Sequence, residues 1–161
     1  MTSPDINETL LRVVAIQKAA MATISVSADA KPYFYHFQES FPYFTNRIGE
    51  LTLTDDGSED YDRDTYPIIM RLVVAHITEG FVGEVDDRLY DYIPLIKTYF
   101  NEREWLQSAA YPVAQVSLIR ARVTACSGWR AFQNAGVSGL QVGTEFTLTC
   151  EFDETIEQQY N

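Results

Sequence analysis

Val142-Gly143-Thr144-Glu145-Phe146-Thr147-Leu148-Thr149-Cys150-Glu151-Phe152 alternates without a miss. Val142, Thr144, Phe146, Leu148, Cys150 and Phe152 fall on one side, and Gly143, Glu145, Thr147, Thr149 and Glu151 on the other. Side chains of an extended chain point to alternate faces, so the segment predicts a half-buried β-strand with one apolar and one wet face. A sheet wetted on one side must cover its other side.

Two helical stripes supply that cover. Ile6, Leu10, Val13, Val14 and Met21 recur at helical spacing, predicting an amphipathic helix over residues 4–21, with Ser3 as its cap and Pro4 in its first turn. Val85, Leu89, Tyr92, Ile93, Ile96, Tyr99 and Phe100 trace a second stripe, with Pro94 inside it as a bend and an end near Trp105. Between the helices, Thr23–Ser27 reads as a short strand, and the aromatic run Tyr33–Phe37 as another. Ile68–Ile77 is apolar on both faces apart from Arg71 and His76, as a central strand would be. Residues 113–126 alternate again and pair antiparallel with the final strand across a glycine-containing loop, 129–141, where Gly136, Gly139 and Gly143 break the chain. The expected architecture is a single α+β domain over 1–161: a mostly antiparallel or mixed sheet of four to six strands, with two main helices on one face.

Composition bounds the function classes. At 161 residues, 46% hydrophobic and 22% charged, the chain is long enough for one core of its own. Its net charge is −11, with Lys18, Lys31 and Lys97 its only lysines, so specific binding to a phosphate backbone is not expected. No apolar run approaches the ~20 residues of a membrane span. The first five residues lack a basic and apolar leader pattern, so the chain is expected to stay in its compartment of synthesis with Cys126 and Cys150 reduced.

The search for chemistry ends without a catalytic, metal or cofactor set. His36 and His76 sit on predicted strands away from any Cys or His at ligand spacing. Neither cysteine occupies a helix N-terminus or glycine-rich elbow that would activate it. Residues 53–66 form the most polar stretch, an exposed loop closed by Pro67 and carrying Asp55, Asp56, Glu59, Asp60, Asp62 and Asp64. Asp60, Asp62 and Asp64 have the first spacings of a calcium loop. Thr65 then stands where the turn needs glycine, and Arg71 where a bidentate glutamate is needed, so the solvated charge run is the better reading. Trp129 and Arg130, at the mouth of the last loop, are the candidate interface anchors.

The order of these elements resembles the tail terminator (tail-completion) proteins of long-tailed bacteriophages. The Asn7–Met21 helix, the Ile68–Ile77 strand feeding the Val85–Phe100 helix, and the Val142–Phe152 strand carry the resemblance. It implies a structural virion protein at the head-proximal end of the tail, assembled in the host cytoplasm as a homo-hexameric ring. Its partners would be the tail-tube protein and a neck or head-completion protein, with DNA passing through unbound. The acidic residues 55–64 would then face the lumen or the tube. A neck or tube subunit is the nearest alternative. A small α+β enzyme or ligand-binding domain, with a pocket built from Tyr33–Phe37 and His76, is the alternative of another class.

Overall fold

A computed structural model describes residues 4–34, 40–51, 61–76, 82–133 and 140–155. The elements are α1 (Ile6–Ala22), β1 (Asp29–Lys31), β2 (Tyr43–Ile48), β3 (Tyr61–His76), α2 (Val82–Asn101), β4 (Leu118–Cys126), β5 (Arg130–Phe132) and β6 (Gln141–Thr155). The strands form one sheet in the order β1-β2-β3-β6-β4, with β5 also paired to β6. Among the described residues only β1 and β2 run parallel, so the sheet is mixed and the fold is α+β.

The alternation of Val142–Phe152 does what its period predicts. Phe146, Leu148, Cys150 and Phe152 are fully buried on the face that meets the helices, together with Ile68, Met70, Leu72 and Val74 of β3. Val13, Ile16, Ala20 and Met21 of α1 and Val85, Leu89, Ile96 and Phe100 of α2 close over them. α2 keeps Pro94 in its interior, on the solvent side.

Several local expectations fail for identifiable reasons. Asp5, not Ser3, caps α1: its side chain accepts the Glu8 N–H at 3.0 Å, satisfying one of the orphan donors of the first turn. Thr23–Ser27 is not a strand. Ser25 N–H bonds the Ala22 carbonyl and Val26 N–H the Met21 carbonyl, with Ser25 at φ +58, so the segment is a C-terminal helix cap with serine in glycine's usual place. Tyr33 and Phe34 are not in a strand, and residues 35–37 lie outside the described residues.

The expected loop 53–66 is also shorter. Residues 61–66 belong to β3, which pairs with β6 from Tyr61↔Thr155 onward. Pro67 therefore lies inside a strand, where a missing N–H usually breaks a ladder. Here β2 ends at Ile48↔Ile68, and Gly49 N–H reaches the Pro67 carbonyl at 2.7 Å. The absent donor thus points to the side where the neighbouring strand has run out. Gly143 likewise does not break the chain; it is the third residue of β6, opposite Val73 beside a bulge. The helix-to-strand passage 113–117 is irregular, and β4 starts only at Leu118.

Buried polar contacts fix how α1 sits. Gln17 and Asn46 exchange amide hydrogen bonds at 2.7 and 2.9 Å, and Asn46 Nδ2 also donates to the Lys31 carbonyl. Arg12 Nη1 donates to the Leu106 and Val113 carbonyls, at 3.0 and 2.7 Å, while Nη2 meets Glu8 at 3.2 Å. These groups tie the first helix to β1, β2 and the passage after α2, contacts that apolar packing alone would leave free to slide.

Candidate functional site

Since both helices lie on one side, the odd-numbered residues of β2, β3 and β6 form the opposite face of the sheet. The register brings charges together there: Thr45, Arg71 and Glu145 in one row, Arg47, Ile69 and Thr147 in the next, then Pro67, Thr149 and Arg122, then Thr65, Glu151 and Arg120. Among the described residues Arg47, Arg71, Arg120, Arg122 and Arg130 collect on this face against Glu145, Glu151 and Asp153, and the register puts Arg63 opposite Asp153. The whole chain carries −11, so this is a basic island on an acidic molecule.

Arg71 is its centre. Its guanidinium lies 4.5 Å from the Phe34 ring centroid and 4.2 Å from that of Phe132, a cation held between two aromatic faces. Arg47 stacks on Phe34 as well, at 4.5 Å. Glu145 Oε1 accepts Arg71 at 3.4 Å and faces Arg130 Nη1 at 3.8 Å. Burial pulls the Arg71 pKa below its ordinary value, with Glu145 opposing the shift. Arg71 Nε is buried and has no hydrogen-bond partner among the described residues. Next to this row, Tyr43, Val73 and Phe132 form a small apolar cluster, and the Tyr43 hydroxyl donates to Gln141 Oε1. Burial raises the Tyr43 pKa.

The sheet's outer edge at β4 is occupied by the chain that precedes it. Trp105 Nε1 donates to the Ile119 carbonyl at 3.1 Å, Ala121 N–H to the Glu104 carbonyl at 2.7 Å, and Val123 N–H to Asn101 Oδ1 at 2.9 Å. An incoming strand would have to displace all three. Arg122 leans toward Glu104 at 3.5 Å, and Arg120 pairs with Glu151 at 3.1 Å.

Of the residues singled out from the sequence, Asp55, Asp56, Glu59 and Asp60 lie outside the described residues. Asp62 and Asp64 stand on β3 opposite Glu154 and Phe152, on a paired strand instead of the expected loop. Trp129, 45% exposed, and Arg130, also exposed, border the basic face beside Glu145. Arg47, Arg71, Arg120, Arg122, Phe34, Phe132 and Glu145 were not anticipated as a group. Only the strand register makes them neighbours, and register is not written in any short motif.

The remaining chemistry is dispersed. His76 is exposed and meets Phe41 edge-on with centroids 4.9 Å apart, while His36 lies outside the described residues. Cys126 is exposed, 3.2 Å from Thr144 Oγ1. Cys150 is in the core, where burial pushes its thiol up to about 12. Open grooves of about 270 and 400 Å³ lie beside β4, the first reaching Cys126 and Phe146, the second Lys97, Arg120 and Arg122. Among the described residues no three His, Cys, Asp or Glu side chains are grouped to hold a metal ion, and no helix is long and apolar enough to cross a membrane.

No protein-family model matches this sequence, and no curated protein is similar to it. Among solved structures, one aligns over 96% of this chain and 97% of its own at 13% identity, with a TM-score of 0.35; a likeness that weak carries no argument. What fold and site together define is an α+β domain with one sheet face under the helices and the other charged and part-buried.

Proposed function

We propose that this protein is a passive, self-associating structural subunit, and that its assembly is the homo-hexameric ring that ends a bacteriophage tail tube at the head-proximal side. The observation that carries the reading is the sheet face opposite the helices, where exposed Arg47 stacks on Phe34 and half-buried Arg71 stacks on Phe34 and Phe132 and pairs with Glu145. Ordered cations beside half-buried aromatics lose little side-chain freedom when another protein covers them, and arginine and aromatic residues are enriched at interface centres. The acidic remainder of the surface suits a ring through which DNA moves without sticking. In this reading the chain works in the virion, with the tube protein on one side and a neck or head-completion protein on the other.

Native mass measurement with electron microscopy of the purified chain tests it. Closed rings, or a monomer that closes into a ring on added tube ends, are the expected outcome. Long filaments formed by the chain alone would make it a tube subunit. A monomer that stays monomeric at every concentration and ignores tube ends would end the structural reading.

A further inference from the structure

We infer that the exposed sheet face is the seat for a second copy of this chain, which docks the solvent side of its α2 helix there. The inference rests on the self-association reading above. Two routes are open to a sheet protein that assembles: through its edges or through its faces. The β4 edge is filled by Asn101, Glu104 and Trp105, the opposite edge is the three-residue β1, and where β2 has ended β3 shows an edge over residues 61–67 that carries Pro67. Short, covered or proline-bearing edges are poor templates for strand addition. The face remains.

Its shape and charge fit a helix. Arg47 on β2 and Arg122 on β4 are separated by three strand spacings, about 14 Å, and a helix with side chains is about 10–12 Å across. The floor between them is low and nearly neutral: Ile69, Pro67, Thr147 and Thr149. α2 offers the complement. Asp87, Tyr90, Asp91 and Pro94 stand exposed in one stripe, with Tyr90 70% exposed. Arg88 beside them is the one cation of that half-helix among the described residues. With Tyr90 resting on the threonine floor, Asp87 and Asp91, one turn apart on the same side of the helix, both meet one arginine flank, that of Arg120 and Arg122.

The helix layer and the charged face lie on opposite sides of the sheet. A contact between them is therefore heterologous, and repeating it gives a ring where the rotation closes. The molecule carries its own complementary halves.

Charge reversal tests this on the intact chain. R120E/R122E alters exposed side chains of the seat, and D87K/D91K alters the docking stripe; neither set touches the core. Light scattering and sedimentation should show each variant folded, with subunit affinity weakened about 100-fold or more, as juxtaposed like charges require. Mixing the two variants should regenerate an assembly in which they alternate, and the chain carrying all four changes should assemble alone. R120Q/R122Q, which removes charge without adding repulsion to Glu151, should weaken assembly less. Wild-type rings that persist unchanged in both reversed variants would overturn the inference while leaving the proposed function standing. So would rings lost only when Asp55, Asp56 and Asp60 are changed to asparagine, which would make that stretch the occupant. A wild-type chain that never associates would remove both.

Discussion

Replacing Gly143 by alanine is a one-atom test of how tightly the centre of this sheet is closed. A Cβ built on Gly143 would stand 1.8 Å from the Leu72 carbonyl oxygen, 2.8 Å from its carbon and 3.0 Å from the Val73 Cα. A carbon and a carbonyl oxygen rest at about 3.3 Å or more, so β3 and β6 would have to part locally by roughly 1.5 Å. The partners in the clash are backbone atoms, which cannot rotate away as a side chain would. The register shift between Val73 and Ala75 concentrates the approach at this residue. Opening the ladder there forfeits about three hydrogen bonds at ~1 kcal/mol each, and the methyl has no cavity to offset the loss. We expect about 3 kcal/mol of destabilisation, or a melting temperature roughly 6–12 °C lower for a domain of this size. Calorimetry or circular dichroism on the purified G143A chain reads it directly. A melting temperature no more than about 4 °C below the parent would refute the reasoning, because the unfolded-chain entropy effect of a single Gly→Ala change reaches about that size.

Arg12→Met should cost about 3 kcal/mol, since it orphans the Leu106 and Val113 carbonyls as well as the Glu8 contact; a thermal melt checks this, and a loss under ~1 kcal/mol would mean those carbonyls find water. Leucine at Gln17 or Asn46 should destabilise by about 2 kcal/mol singly, and the double variant should lose clearly less than the sum, a coupling of ~1–2 kcal/mol measurable by urea unfolding. Stability should fall in alkali. The folded state holds the Cys150 proton up to about 12 while the unfolded thiol releases it near the ordinary 9.0, so the unfolded state binds fewer protons in between and unfolding becomes easier by up to ~1.4 kcal/mol per pH unit. Tyr43, also raised, extends that decline above its ordinary value, and Cys150→Ala should flatten the slope that begins near pH 9.

How much of this was legible in the sequence follows from the range of each interaction. Periodicity is local, so the Val142–Phe152 alternation and the two helical stripes could be read directly, and burial of Phe146, Leu148 and Phe152 against Val13, Ile16 and Ile96 agrees with them. Composition misled where pairing overrides it. Residues 61–66 look like a loop because they are polar, yet β6 is long enough to pair with them. Ile24 and Val26 look like a strand because they are β-branched, yet they lie in the turn that ends α1. The exposed face was the hardest part. Arg71 and Glu145 lie 74 positions apart, and nothing in either neighbourhood announces the other. The β2 strand, Tyr43–Ile48, escaped notice for the same reason: its outward Arg47 and Thr45 and inward Asn46 blur the alternation, and each is explained only by a partner far along the chain.

The distribution of charge bears on assembly in two opposing ways. Copies that each carry −11 repel one another at a distance, and that repulsion reaches only about 8–10 Å at physiological salt. Contacts between arginine and carboxylate at 3–4 Å, partly desolvated beside Phe34 and Phe132, are screened far less. Raising salt from very low concentration therefore removes the barrier to approach before it weakens the seat. An association driven by Arg47, Arg71, Arg120 and Arg122 should be strongest at intermediate ionic strength, whereas one driven by apolar burial would rise steadily with salt.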